Sequence, residues 1–237
     1  MTDVSKSPER IAGMFDAIAG RYDLLNHVLS AGLDKRWRAR AIRSLGLTGR
    51  ERVLDLCTGT GDLAIAAVRA RPAAARVVGI DFSRAMLRVG DVKLRQAALD
   101  DRITMVQGDA TRIPLASASV DAVTIGFGIR NVEHLDAACV ELFRVLKPGG
   151  RLAILEFAEP DVPVFGPLYR WYVRHVLPRI GRAVSRNEFA YEYLPASIAA
   201  FATPEEFVKI LRQGGFSAIC PVRLMLGSVI LYTARRD

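Results

Sequence analysis

Residues 52–62, Arg52-Val-Leu-Asp-Leu-Cys-Thr-Gly-Thr-Gly-Asp62, decide the fold. Arg52 to Leu56 is a short, mostly apolar run of the kind that forms a buried strand. Gly59 and Gly61 follow, and an Ala-rich stretch to Arg71 reads as a helix. Strand, glycine turn and helix together make a nucleotide-binding layout. Glycine lets a ligand approach the backbone closely, and the first amides of the helix point at whatever binds there. Gly59, Gly61 and Ala64 satisfy the dinucleotide pattern G-x-G-x-x-A, and Asp81 stands 20 residues past Gly61, as that pattern requires.

Outward from this turn the chain alternates. Arg76 to Ile80, Ile103 to Gln107, Val120 to Ile125 and Arg151 to Phe157 read as further strands. Ser83 to Leu99 and Leu135 to Leu146 read as helices, the second stopping at Lys147-Pro-Gly-Gly150. Such alternation predicts a parallel sheet covered on both faces. Before it, residues 8–46 read as helices: Ile11, Met14, Phe15 and Ile18 recur at helical spacing, and Trp37, Ala41, Ile42 and Leu45 share one side of Asp34 to Leu45. Residues 158–202 break the rhythm with Pro160, Pro163, Pro167, Pro178 and Pro195 and many aromatics, and read as an insertion of short helices and loops. Thr203, Pro204 and Glu206 then form a capping box, and Pro221 to Thr233 reads as a closing pair of strands. The expected organisation is one domain over 1–237, with 8–46 as a helical cap over the substrate.

With 237 residues, 33 basic and 25 acidic, the chain carries a net charge of +8 and has ordinary globular composition. No apolar run is long enough to span a bilayer, and Met1 to Glu9 carries no apolar core of a secretory signal. Cys57, Cys139 and Cys220, like His27, His134 and His175, are dispersed, which predicts a reduced protein without a metal site. The basic balance leaves nucleic acid, an anionic membrane surface or no polyanion partner open. No RNA-binding motif is present, so nucleic acid is not expected.

Three features favour S-adenosylmethionine over a dinucleotide. Asp55 lies inside the opening strand, where its charge opposes a pyrophosphate and suits a cationic ligand. The second half of a dinucleotide fold is missing. Gly108-Asp-Ala110 follows the third strand, and Leu146-Lys-Pro-Gly-Gly150 precedes the fifth. With the glycine loop, these resemble the class I S-adenosylmethionine-dependent methyltransferases. The resemblance implies an α/β, Rossmann-like fold with a mostly parallel seven-stranded sheet and helices on both faces. The expected cofactor contacts are Gly59, Thr60 and Gly61 in the loop, Asp81 to the ribose hydroxyls, and Asp109 and Ala110 to the adenine edge. Phe82 (or Met86) is expected on the adenine face, and Gly126 to contribute backbone. The bland alternatives are helix capping for Asp81 and Asp109, and core packing for Phe82.

Tyr22-Asp-Leu-Leu-Asn26 with Ser30 and Trp37, Phe127-Gly-Ile-Arg-Asn-Val132, Arg144 to Glu156, and His175-Val-Leu-Pro-Arg-Ile-Gly181 with Tyr193-Leu-Pro-Ala-Ser197 are more specific. They resemble the ubiquinone/menaquinone biosynthesis C-methyltransferases, from about Met14 to the C-terminus. The sequence departs where the family usually has Met (Leu25), His (Asp34) and Ser (Ala158), and often Ser (Gly126). The resemblance implies methylation of a ring carbon of a polyprenylated quinol: demethylmenaquinol, 2-methoxy-6-polyprenyl-1,4-benzoquinol, or both. A small soluble phenolic acceptor is the alternative. Arg130 is expected to stabilise a developing phenolate, because a guanidinium stays charged, with Asn131 orienting a hydroxyl and Tyr22 completing the pocket. The structural alternatives are an ion pair of Arg130 with Asp121 or Glu156, and a core role for Tyr22. Arg170, Trp171, Tyr172 and Arg174, extended by Arg182 and Arg186, suggest peripheral contact with an anionic membrane, the alternative being an ordinary substrate lid packed on the core. A cytoplasmic enzyme working at the inner face of a membrane is expected, with homo-oligomerisation left open.

Overall fold

Three short helices lead: α1 (Pro8–Ile18), α2 (Tyr22–Leu29) and α3 (Asp34–Ser44). The structure is a computed structural model that describes residues 8–70, 76–176 and 188–237. Ile11, Met14 and Ile18 of α1 are buried, as the helical stripe predicts. Just past α3, Gly46 has a φ of +55°, the left-handed stop that glycine tolerates.

The alternation then runs β1 (Arg52–Leu56), α4 (Asp62–Ala70), β2 (Arg76–Asp81), α5 (Arg84–Gln96), β3 (Ile103–Gln107), β4 (Val120–Gly126), α6 (Leu135–Val145) and β5 (Leu146–Phe157). The insertion contributes α7 (Phe165–Trp171), a wider helical turn to Val176, and α8 (Glu188–Ala199). The chain closes with α9 (Pro204–Gln213), β6 (Ser217–Leu224) and β7 (Val229–Arg235). The Thr203–Glu206 capping box at α9 is present with both reciprocal bonds. Pro178, Arg182, Arg186, the end of the His175–Gly181 motif and the side chains of Arg174, Phe189 and Tyr191 lie outside the described residues.

Seven strands form one sheet in the order β3-β2-β1-β4-β5-β7-β6. β1 to β5 pair in parallel; β7 runs antiparallel to β5, and β6 to β7. Strand alternation divides the core between the faces. Leu54, Leu56, Val123 and Ile125 pack with Leu142 of α6 and Phe207 and Leu211 of α9. Val53 and Ala122 pack with Ala41 and Ile42 of α3 and Leu63 and Ala64 of α4. A third cluster, with Ile11, Met14, Leu25, Met86 and Tyr193, fastens α1 and α2 to α5 and α8.

One boundary differs from the sequence reading. Lys147-Pro-Gly-Gly150 does not separate α6 from the fifth strand but belongs to β5. Leu146 pairs with Val120 and Arg151 with Ala122, so the extra residues bulge out of register. Gly149, with φ +74°, supplies the left-handed backbone this needs.

Strand order reverses between β1 and β4, and the loops that leave their carboxyl ends part there. Open α/β sheets bind ligands in that crevice.

Candidate active site

The turn after β1 is built around Asp55. Its carboxylate accepts hydrogen bonds from Thr58 Oγ1 at 2.5 Å, Thr124 Oγ1 at 2.7 Å and the Ala64 amide at 3.1 Å. Asp55 is 1% exposed, and burial pushes its carboxyl up to about 6 against those three donors. The sequence reading of Asp55 as a charge facing a cationic ligand is therefore corrected: its oxygens are committed to fixing β1, β4 and the start of α4. Cys57, Gly59 and Gly61 all take positive φ (+55°, +56° and +82°), which folds the backbone sharply beneath the crevice.

That crevice is a cleft lined by Cys57 and Gly59 after β1, Asp81, Phe82 and Ser83 after β2, and Gly108 to Thr111 after β3. Gly126 to Gly128 and Asn131 to His134 line it after β4. Asp81 Oδ2 accepts from the Gly59 amide at 2.8 Å and Oδ1 from the Ser83 amide at 2.8 Å. Each oxygen keeps a further lone pair for the cleft. Burial pushes the Asp81 carboxyl above its ordinary value against those amides. Asp81 does not cap α5, because Ser83 does so by accepting from Met86 N. Asp109 turns Oδ1 to the Thr111 amide and hydroxyl, at 2.7 and 2.9 Å.

Of the expected cofactor residues, Gly59, Asp81, Phe82, Asp109, Ala110 and Gly126 line this cleft. Thr60 and Gly61 are not on its wall. Thr60 is turned the other way, donating to Asp23 of α2 at 2.5 Å and accepting from Lys93 of α5 at 3.0 Å. The sequence reading did not foresee the wall that Ile11, Ala12 and Phe15 of α1 contribute to the cleft. The sequence places α1 in a cap over the substrate but not against the cofactor cleft, because a helix that covers a ligand and a helix that covers a sheet present the same spacing. Asp16 moors α1 by accepting from Ser83 Oγ at 2.5 Å and the Ala85 amide at 3.3 Å.

Phe15, Tyr22 and Phe127 line this cleft and also a second, larger cavity of about 510 Å³. Its walls come from α1 to α3, the ends of β4 and β5, and α7 and α8, and they are dominated by apolar and aromatic side chains. Phe127 stacks on Phe157 at 4.4 Å and meets Trp37 edge-on at 6.1 Å. Burial pushes the phenols of Tyr22, Tyr169 and Tyr193 above their ordinary value, Tyr169 to about 12, so all three are hydrogen-bonding phenols rather than bases at neutral pH.

Arg130 lines this cavity and is 5% exposed. Its Nη1 pairs with Glu156 Oε1 at 2.8 Å and also donates to the Phe127 carbonyl, while Nε donates to Ser197 Oγ at 3.3 Å. Of the two structural partners expected for Arg130, Glu156 is the one found. Asp121 instead holds Lys147 at 2.6 Å and the Arg52 amide at 2.9 Å. Asn131 faces the cofactor cleft and accepts from Tyr193 Oη at 3.0 Å, which ties it to a phenol on the cavity wall. Tyr22 stands at the junction, where the Arg130 and Arg38 cations and a hydrogen bond with Asn26 oppose the effect of its burial.

The profile of the ubiE/COQ5 methyltransferase family matches residues 1–236. A ubiquinone/menaquinone biosynthesis C-methyltransferase UbiE of Syntrophotalea carbinolica is 49% identical, over 94% of this chain and 93% of its own. A demethylmenaquinone methyltransferase of Porphyromonas gingivalis is 43% identical, over 88% of this chain and 85% of its own. Among solved structures, an S-adenosylmethionine-dependent methyltransferase of Aquifex aeolicus superposes with a TM-score of 0.63 at 18% identity, covering 84% of this chain and 89% of its own. At that identity the likeness concerns the fold.

Proposed function

The chain belongs to the ubiE/COQ5 methyltransferase family, and from that premise we propose that it methylates a ring carbon of a polyprenylated quinol, a demethylnaphthoquinol, a methoxy-benzoquinol, or both. It is an S-adenosylmethionine-dependent methyltransferase of quinone biosynthesis. The observation that carries the substrate reading is the junction at Phe15, Tyr22 and Phe127, where a nucleotide-type cleft meets a large apolar cavity. A small polar acceptor has no use for such walls, whereas a prenylated ring gains by burying its apolar surface there.

The cleft suits the adenosyl group on its own acceptors. Asp81 has a lone pair on each oxygen for the two ribose hydroxyls, and Asp109 Oδ2 accepts from no described residue. Gly59 admits close approach, since a Cβ there would meet nothing nearer than Tyr22 at 3.9 Å. In this reading Gly59, Asp81, Phe82, Asp109, Ala110 and Gly126 hold the cofactor, and Thr60 and Gly61 act by shaping the loop. When bound, the cofactor supplies an electrophilic methyl group on a sulfonium.

The chain's own task is to place an electron-rich ring in line with that methyl. Positioning of this kind is worth roughly 7–11 kcal/mol at best. Tyr22 and Phe127 set the ring at the junction. Arg130 sets a fixed positive charge against the ring oxygen as negative charge develops there, and a buried donor of this sort is typically worth about 10²–10³ in rate. Its pairing with Glu156 keeps the guanidinium in one place. Tyr193 and Asn131 orient a ring hydroxyl.

The cavity mouth supports peripheral contact with an anionic membrane. Leu168, Trp171 and Met225 line the cavity yet are 59%, 55% and 47% exposed. Among the described residues no helix is long and apolar enough to cross a membrane.

The test is methyl transfer from labelled cofactor to prenylated naphthoquinol, prenylated methoxy-benzoquinol and both oxidised quinones in detergent, followed by counting of the lipid extract. Label in one or both quinols and in neither quinone is the expected result. Label confined to tail-less phenols would replace this reading with the soluble-acceptor one.

A further inference from the structure

The reaction releases one proton, and Arg130 cannot take it because a guanidinium does not give up its charge. Besides Arg130, a polar stripe among the described residues lines the apolar cavity. Tyr22, Asn26 and Ser30 follow one another at four-residue spacing, so they share one side of the α2 segment, and Asp34 opens α3 directly after them. All four line the cavity. Asp34 is 2% exposed. Ser30 Oγ donates to Asp34 Oδ1 at 2.9 Å. On the far side of the carboxylate, His27 Nδ1 lies 3.1 Å from Asp34 Oδ2, and the His27 side chain is 36% exposed. That Nδ1 is itself buried and makes no aligned hydrogen bond among the described residues. Ser30, Asp34 and His27 thus stand in a row from the cavity to the surface, hydrogen-bonded at its first step and within ion-pair distance at its second.

Arg38 joins Asp34 to Asp62 of α4, and Lys93 of α5 joins Asp62 to Asp23 of α2. This linked group holds three carboxylates and two cations, so one negative charge is left over, and uptake of one proton makes it neutral. Against the upward push of burial, the Arg38 and Lys93 cations hold Asp62 below its ordinary range. Tyr22, which lines both the cleft and the cavity, lies in the field of both Arg130 and Arg38.

We propose that Ser30 and Asp34 form the proton-accepting wall of the site and that His27 passes the released proton to solvent, an inference that rests on the quinol reading above. As the ring carbon attacks, the ring O–H bond breaks and its proton moves to Ser30 Oγ, while the Ser30 hydroxyl proton moves to Asp34 Oδ1. The electron pair freed at the ring oxygen feeds the new carbon–carbon bond, and the pair of the broken carbon–sulfur bond stays on sulfur. Asp34 then gives its proton to His27, the methylated carbon sheds its hydrogen as a proton to the freed Ser30–Asp34 pair, and that pair returns it to the ring oxygen, restoring the aromatic quinol. The one surplus proton leaves by way of His27. Ser30, which touches the ring hydroxyl, is a catalytic residue in this scheme; Asp34 and His27 act through it.

Two measurements test this. Trp37 and Trp171, the protein's two tryptophans, both line the cavity, so their quenching reports binding of a prenylated naphthoquinol without cofactor or turnover. Ser30→Ala is expected to weaken the free quinol about tenfold while leaving its O-methyl ether unchanged, the size of one lost hydrogen bond. In turnover, Asp34→Asn is expected to lower kcat by about 10²–10³, within the range of general-base removal. Binding of S-adenosylhomocysteine is unchanged, and kcat climbs close to tenfold per pH unit above neutrality as hydroxide replaces the lost base. His27→Gln is expected to show a smaller loss of the same pH form. The proposal is overturned if Asp34→Asn loses the same factor at every pH, or if Ser30→Ala prefers the free quinol to its ether as strongly as the wild type does. A wild-type enzyme that labels no prenylated quinol overturns the quinol reading itself, and this scheme with it.

Discussion

Asp55 and Asp81 illustrate how much a single carboxylate can reveal in sequence and how much it cannot. Both stand at strand positions beside the glycine turn, and both were legible as residues of a nucleotide site. Only the structure separates them: Asp55 is enclosed by three donors, whereas Asp81 keeps a free side toward the cleft. That difference depends on Thr124, 69 residues away, and no local pattern contains it. The burial of Asp55 also has a measurable consequence. The folded protein holds this proton up to about pH 6, whereas an unfolded aspartate releases it near 3.8. Proton binding therefore favours the folded state, and this group's contribution is full below the unfolded value and lost as pH rises through the folded one. Between about pH 4 and about pH 8 the loss amounts to roughly 2 kcal/mol. Asp55→Asn has no such dependence. In urea titrations its stability relative to wild type should improve by that amount from pH 4 to pH 8, and an unchanged difference would show that Asp55 ionises as freely as in the unfolded chain.

At the scale of elements, periodicity located nearly every helix and strand, because strands buried on both faces and helices with one apolar face leave strong patterns. It failed where one pattern has two uses. The stripe of α1 serves as both core and cleft wall, and Lys147-Pro-Gly-Gly150, a stop signal by composition, is a bulge because Leu146 finds a partner in Val120. The insertion was legible as irregular and open to reading as a substrate lid, but its aromatics form a cavity wall only by meeting α1 to α3. α7 carries the element-scale prediction. It exposes Leu168 and Trp171 next to Arg170, an apolar edge with a cationic neighbour. The protein should co-sediment with vesicles containing anionic phospholipid, and about 0.5 M salt should release it as screening shortens the reach of the charges. Trp171→Glu should reduce the bound fraction about tenfold, the order expected for lost burial of one large apolar side chain. Equal binding to neutral vesicles, or full binding by Trp171→Glu, would remove α7 from the interface.

At the scale of the whole molecule, the sheet order places two chambers side by side. The reversal between β1 and β4 opens the cofactor cleft, and the helices before β1 and after β5 close over it to make the apolar cavity. The ion pairs linking α2, α3, α4 and α5 join the two chambers mechanically, since Thr60 and Asp62 of the glycine turn are held by the same Lys93 that holds Asp23 of the cap. On this geometry, cofactor and ring meet at the junction of Phe15, Tyr22 and Phe127. A crystal structure with S-adenosylhomocysteine and a reduced, prenylated naphthoquinol tests it most directly. The adenosyl group is expected on Asp81 and Asp109, the sulfur facing a ring carbon across that junction, and the prenyl chain leaving past Leu168 and Trp171. A ring bound anywhere outside the apolar cavity, or a sulfur turned away from Tyr22, would contradict it.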